Sequence, residues 1–256
     1  TYFGLSIAYA VASGSPFLGW TIPKPASVLF LDGEMPASTL QERLAAIVAS
    51  SSYEPSARFQ ILTPDMQPKE LPTLNVSSLA DQEAIEKFLT GIDLIVIDNI
   101  ATLCRTGKEN EAEGWLPIQQ WALRQRAHGR SVVFIHHSGK GGQQRGTSSR
   151  EDVLDTVISL KRPPDYSPQD GARFELHFEK SRGFYGEDAE PIEVMLTSDD
   201  HGRLIWNEKP LEVSIMDRVV QLSKEGLNQS EIADVIGRHK SSVSRTMTKA
   251  KQAGLL

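Results

Sequence analysis

Three hydrophobic runs in this sequence end on side chains that can hold a cation, move a proton or touch a phosphate. Ser27–Asp32 (SVLFLD) leads into Gly33 and Glu34, Ile92–Asp98 (IDLIVID) ends beside Asn99, and Ser131–His136 (SVVFIH) ends on the pair His136-His137. Short apolar runs of this kind read as buried parallel strands. Their C-terminal ends are where open α/β sheets bind ligands. Asp98 is therefore a candidate metal-shell carboxylate. Glu34 could orient or deprotonate an attacking water, or simply cap the helix that begins near Ala37. A histidine at that edge could contact a terminal phosphate. Adjacent residues on a strand point to opposite sides, so one of the two histidines is expected to be structural and a metal-ligating pair is disfavoured.

These side chains need a scaffold, and the pattern supplies an α/β one. Residues 1–13 (TYFGLSIAYAVAS) form a nearly all-apolar helix ended by Gly14, of the kind that is buried against a sheet. Ala37–Ser50, Asp81–Thr90 and Glu111–His128 read as further helices, Phe59–Leu62 as a short strand and Pro64–Pro72 as a proline-rich loop. Alternation of strand and helix implies a mainly parallel sheet flanked by helices. Ser138–Ser149 (SGKGGQQRGTSS) offers almost nothing to pack and reads as a mobile loop. Beyond it, Val157–Leu160, Phe174–Glu179, Ile192–Leu196 and Arg203–Trp206 read as strands of an antiparallel extension, and Asn207–Pro210 as a linker.

Charge singles out the C-terminus. The chain carries a net −6, which argues against a dedicated nucleic-acid binder, yet residues 237–256 hold five basic residues and no acidic one. Ser214–Lys224 has a helical apolar face. Asn228 with Glu231 three residues on has capping-box spacing, opening a helix over Gln229–Ile236. Gly237 makes a turn, and a third helix starts at Ser241 or Ser242 with Val243, Met247 and Ala250 inward. NQSEIADVIGRHKSSVSRTMTKAKQAGLL resembles a helix-turn-helix throughout, with Gly254-Leu255-Leu256 like the start of a wing. Arg238, Lys240, Ser242, Arg245 and Lys249 are its candidate DNA contacts, chiefly to phosphates. Three-helix modules of this type also serve as protein docking domains. The lone cysteine, Cys104, excludes a disulfide framework and a cysteine-rich zinc site. With no signal-peptide pattern and no membrane-length apolar run, a cytoplasmic location is expected.

The P-loop pattern GxxxxGK followed by Ser or Thr does not occur. Gly107-Lys108 precedes Glu109 and Gly139-Lys140 precedes Gly141. Thr1, however, leads straight into a buried helix of small and apolar residues, as the chain does immediately after a P-loop Gly-Lys. The expectation is that the sequence begins one residue after the P-loop lysine; the alternative is a degenerate, non-hydrolysing protein. Retention of Thr1, Glu34, Asp98, Lys180 and Arg182 favours the first.

With DGEMP, LIVIDN and FIHHSGKGG…RGTSS in place, followed by Asp152 and Asp155, Thr1 to about Gly186 resembles the RecA-type P-loop ATPases related to the plasmid replicative helicase RepA. That resemblance implies ATP and Mg²⁺ as cofactors, with Thr1 the P-loop threonine, Glu34 the catalytic carboxylate and Asp98 the Walker B aspartate, and Thr1, Asp98 and Asn99 as the cofactor-binding residues. It makes His136 or His137 the γ-phosphate sensor. Lys180-Ser181-Arg182-Gly183 is similar to the Lys-x-Arg pair that hexameric RecA-type helicases insert into a neighbour's ATP site, and Arg145 is a second candidate for that task. Either arginine could instead be a solvated surface residue. The implied protein is a homo-oligomer, with a hexameric ring expected. It would hold single-stranded DNA in the ring and duplex DNA at the helix-turn-helix, and no membrane is implied. The expected architecture is a RecA-like ATPase domain over 1–208 and a small all-α, winged-helix-like domain over 209–256.

Overall fold

Strand periodicity builds three layers in the first half of the chain. The structure, a computed structural model, describes residues 1–68, 73–105, 112–137 and 151–256. Helix α1 (Tyr2–Ser13) stops where Gly14 takes a left-handed φ of 71° and returns its N–H to Ala10 O. It is followed by β1 (Val28–Asp32), α2 (Ala37–Ser50), β2 (Phe59–Leu62), α3 (Leu79–Glu86), β3 (Leu94–Asp98), the short α4 (Ile100–Leu103), α5 (Ala112–Ala127) and β4 (Ser131–Ile135). The four strands pair in parallel in the order β2-β1-β3-β4. Successive strand residues point to opposite faces. Val28, Phe30, Leu94 and Val96 therefore pack with Leu5, Ala8 and Tyr9 of α1 and Leu40 of α2. Leu29, Leu31, Ile95 and Ile97 pack with Ile85 of α3 and Trp115, Ile118 and Trp121 of α5. β1 and β3 are buried at every residue, as their unbroken apolar sequence predicts.

Helix α3 begins two residues earlier than expected, because Ser78 caps it by accepting from Asp81 N at 3.5 Å. It also ends sooner, at Glu86.

Residues Thr1–Leu154 and Asp155–Leu256 form two compact units. The second contains an antiparallel sheet of β5 (Thr156–Lys161), β6 (Arg173–Ser181), β7 (Ile192–Ser198) and β8 (Leu204–Pro210) in that order, then α6 (Leu211–Lys224), α7 (Gln229–Val235) and α8 (Lys240–Gln252). A parallel sheet flanked by helices is thus present, and the expected antiparallel strands form a separate four-stranded sheet. Asn207–Pro210 is not a linker. It pairs with Ile192–Met195 as the second half of β8, and Pro210 is also the N-cap of α6. Its polarity reflects an edge strand with solvent beside it, which composition does not distinguish from a tether. The antiparallel sheet groups with the three helices, and the division falls at 154/155 instead of near 208.

Packing of the helices follows the expected spacing. Val219, Ile232, Ala233, Ile236 and Val243 form their core. Asn228 Oδ1 accepts from Ser230 N and Glu231 N while Glu231 Oε2 accepts from Asn228 N at 2.8 Å, completing the capping box. α8 starts at Lys240 with His239 as its cap, one residue ahead of the serines.

Candidate functional site

Strand register brings the first unit's carboxylates together. Asp32 and Asp98 are the last residues of β1 and β3 and are Cα partners across the parallel pair, so both side chains leave on the same face. That is the face of Phe30 and Val96, against which α1 packs. Thr1, at the N-cap of α1, has its backbone nitrogen 3.7 Å from Asp98 Oδ2, and its hydroxyl makes no capping bond. Asp98 is fully buried, and neither of its carboxylate oxygens has a hydrogen-bond partner.

Gly33 lets the next segment pass close to α4. A Cβ there would meet Thr102 Oγ1 at 2.5 Å and the side chain of Leu103 at 2.6 Å. The turn is held by Asp32 Oδ2, which accepts from Glu34 N at 3.3 Å and Met35 N at 3.0 Å. It delivers Glu34 Oε2 to Asn99 Nδ2 at 2.5 Å and His137 Nε2 at 3.0 Å. Asn99 is buried, and its other side-chain atom, Oδ1, accepts from Thr102 N at 3.2 Å and caps α4. Both ends of this amide are engaged, so in this structure Asn99 positions Glu34. Glu34 itself does not cap α2: Pro36 is the N-cap, and Ala37 N is held by Asp65.

Electrostatics distinguish the two acids flanking Gly33. The hydrogen bond from His137 holds Glu34 below the usual carboxylate range, with Asn99 adding to it, so it is a base with its charge in place. Burial pushes Asp32 up to about 6 against the lowering effect of the Met35 and Glu34 amides, and the Asp98 charge pushes the same way. Asp32 Oδ1 is buried without a partner.

Three orphaned, buried carboxylate oxygens suit a hard divalent cation. Among the described residues no group of three His, Cys, Asp or Glu side chains is arranged to ligate a metal. A site of two carboxylates, with the remaining positions left to phosphate oxygens and water, is the kind Mg²⁺ occupies.

The other sequence candidates fall elsewhere. His137 reaches Glu34, whereas His136 is the half-buried member of the pair. Arg145 lies outside the described residues. Lys180, at the end of β6, and Arg182 belong to the second unit. There Arg182 N bonds Asp155 O at 2.9 Å and its guanidinium is 3.8 Å from the Asp155 carboxylate. Of the proposed DNA contacts, Lys240 and Arg245 are exposed and Ser242 half-buried. Lys249 pairs with Glu212, and Arg238 lies 3.9 Å from Glu175.

Sequence reasoning passes over Asp32 and Thr102. Asp32 is legible as the twin of Asp98, since both close five-residue buried strands. Thr102 is legible from its place three residues after Asn99, the spacing of a capping box.

The profile of the AAA_25 family, an AAA domain, matches residues 1–143. The chain belongs to this family of RecA-like P-loop ATPases. No curated protein matches it. Among solved structures, the KaiC-like protein PH0186 from the hyperthermophilic archaeon Pyrococcus horikoshii OT3 is similar over 77% of this chain and 80% of that one, with 13% identity and a TM-score of 0.50. That likeness shows the RecA-like fold. Within the AAA_25 match lie Thr1, Asp32, Glu34, Asp98, Asn99 and His137, and outside it lie Lys180, Arg182 and the three C-terminal helices.

Proposed function

We propose that this protein is a Mg²⁺-dependent ATPase acting on DNA, a ring-forming helicase or loader of the RepA type. The observation that carries the ATPase reading is the pair of carboxylates, Asp32 and Asp98, buried without full partners at the C-terminal edge of a parallel sheet, with Glu34 charged and held beside them. Asp98 and the Thr1 hydroxyl would hold the magnesium ion. When bound, the ion neutralises charge on the phosphates.

The chain's own residues supply the rest. Glu34, kept ionised by its hydrogen bonds, accepts a proton from the attacking water or orients it. Asn99 and His137 both hold the Glu34 carboxylate at Oε2. Because His137 Nε2 can bond either to Glu34 or to a phosphate oxygen, it couples the state of Glu34 to the nucleotide. Lys180 and Arg182 would complete the site of a neighbouring subunit. A guanidinium delivered this way is worth roughly 10³–10⁵ in rate in comparable enzymes.

The DNA reading rests on the three C-terminal helices as a helix-turn-helix. Lys240 and Arg245 stand exposed on α8, and neither pairs with an acidic group among the described residues. The experiment is ATP hydrolysis by the full-length gene product with and without single-stranded DNA, beside strand displacement on a forked duplex. DNA-stimulated turnover that is lost in Glu34→Gln and Arg182→Ala supports the motor. Nucleotide binding and duplex binding without strand displacement would leave a nucleotide-gated DNA-binding regulator as the function.

A further inference from the structure

We infer that Asp32 is a positioning residue with two tasks: Oδ2 fixes the turn that carries Glu34, and Oδ1 holds a water of the magnesium shell next to Asp98. The inference rests on the ATPase reading and extends it to a residue outside the expected set.

The first task is visible directly. Glu34 N and Met35 N both donate to Asp32 Oδ2, and the backbone between them follows Gly33, which α4 crowds too closely to admit a side chain. Glu34 therefore leaves the sheet at a place set by Asp32 on one side and Thr102 and Leu103 on the other.

The second task follows from what remains of the carboxylate. Asp32 is 1% exposed, so Oδ1 has no bulk water to accept from, and no protein donor reaches it. Its in-register neighbour on the same face, Asp98, has both oxygens in the same condition. Neighbouring strands lie about 4.8 Å apart, and two buried like charges at such a separation repel. Buried polar groups are satisfied in nearly all native structures, and one that no protein group satisfies commonly meets a bound ion or an ordered water. A hydrated divalent cation satisfies all three oxygens and removes the repulsion.

The test is calorimetric titration of Mg²⁺ into the full-length protein saturated with ADP, comparing wild type, Asp32→Asn and Asp32→Ala, with thermal unfolding of each in EDTA. Asparagine keeps an oxygen for the two amides and removes the charge. It should weaken Mg²⁺ about tenfold or more, the usual cost of losing an outer-shell partner, while unfolding in EDTA no earlier than wild type. Excess Mg²⁺ should restore hydrolysis to Asp32→Asn but not to Asp32→Ala, which loses the turn as well. Unchanged Mg²⁺ affinity in Asp32→Asn, or earlier unfolding of that variant in EDTA, overturns the inference. A wild type that binds no Mg²⁺ with ADP overturns the ATPase reading along with it.

Discussion

Asp98 in the first unit and Arg173 in the second are both charged and both hidden, at 0% and 9% exposure, and they are treated in opposite ways. Arg173 donates from all three of its side-chain nitrogens, to Glu193, Asp170 and Asp165. Burial alone would lower it; the Glu193 and Asp170 carboxylates outweigh that and hold it above the usual arginine value. Arg218 of α6 joins the same group through Asp165, so these ion pairs tie α6 to the polar face of β6 and β7. Asp98 accepts no hydrogen bond at either oxygen, and Asp32 leaves one oxygen bare. A buried carboxylate without hydrogen bonds costs several kcal/mol. The fold answers every side-chain nitrogen of Arg173, although Arg218 Nε beside it stays bare, and it leaves three carboxylate oxygens open at the sheet edge. The first cluster holds the fold together and the second is open to receive something.

The sharpest division between the clusters is in what substitution removes. Glu34→Gln and Asp98→Asn should lower ATP turnover by roughly 10²–10⁴, the range for a lost general base or its equivalent. Asp98→Asn should not lower the unfolding midpoint in EDTA, because it takes a charge out of a site with no metal to answer it. Glu34→Gln instead gives up a charge that His137 and Asn99 already answer, and should cost a little stability. An Asp98→Asn protein that melted well below wild type would make Asp98 a structural acid and erase the contrast.

Arg173→Met should behave in the reverse manner. It strands Glu193, leaves Asp165 to Arg218 alone, and costs about 3 kcal/mol, the low end of the range for breaking a buried pair, since Asp165 keeps one partner and Asp170 keeps some contact with water. Urea unfolding of the full-length protein reads the loss. Nucleotide binding by the folded protein should be unaltered. A midpoint equal to wild type would show that the cluster is dispensable to the second unit.

What can be read in the sequence follows the same division. Strand ends are legible because an unbroken apolar run that closes on an acid must be buried along its length and open at its tip; Glu34, Asp98 and the His136-His137 pair all stand out that way. The Arg173 cluster is not legible. Asp165, Asp170, Arg173, Glu175, Glu193 and Arg218 are scattered over more than fifty residues, and each resembles a surface charge until β6 and β7 pair. Likewise Asn207–Pro210 reads as a tether because only pairing with β7 makes a polar segment a strand. Its place beside Asp98 makes a nucleotide contact the expectation for Asn99. Its engagement with Glu34 and the α4 cap depends on Gly33 letting α4 approach, a fact about tertiary closeness.

Acidity should separate the clusters further. Asp32 stands at about 6 in the folded protein against 3.8 in an unfolded chain. Between these values the folded state binds the proton more tightly, so this group's contribution to stability is greatest below about pH 4. It declines as pH rises and is fully lost above about 6. The span corresponds to at most about 3 kcal/mol. In EDTA the difference in stability between Asp32→Asn and wild type should therefore grow in favour of the variant from pH 4 to pH 7. Asp170, held low by the Ser167 amide and Arg173, and Glu179, held low by Lys161 and Ser159, act in the opposite sense. Their contribution is present above their unfolded values and fades as pH falls. A pH-independent difference between Asp32→Asn and wild type would mean that Asp32 is answered after all.

The smallest effect concerns the exposed end of the second unit, where a charge pair can be structural or merely waiting. Lys249 of α8 contacts Glu212 of α6, both largely in water, and such pairs contribute little to stability. Glu212→Ala should leave the unfolding midpoint unchanged within error. If Lys249 contacts a DNA phosphate, Lys249→Ala should reduce the slope of log affinity against log salt by about 0.9, since one fewer counterion is released. Glu212→Ala should then tighten duplex binding slightly by freeing the same ammonium. Unchanged salt slopes in Lys249→Ala, with a loss in Arg245→Ala, would confine the DNA contact to the N-terminal half of α8 and leave Lys249 to the protein's own surface.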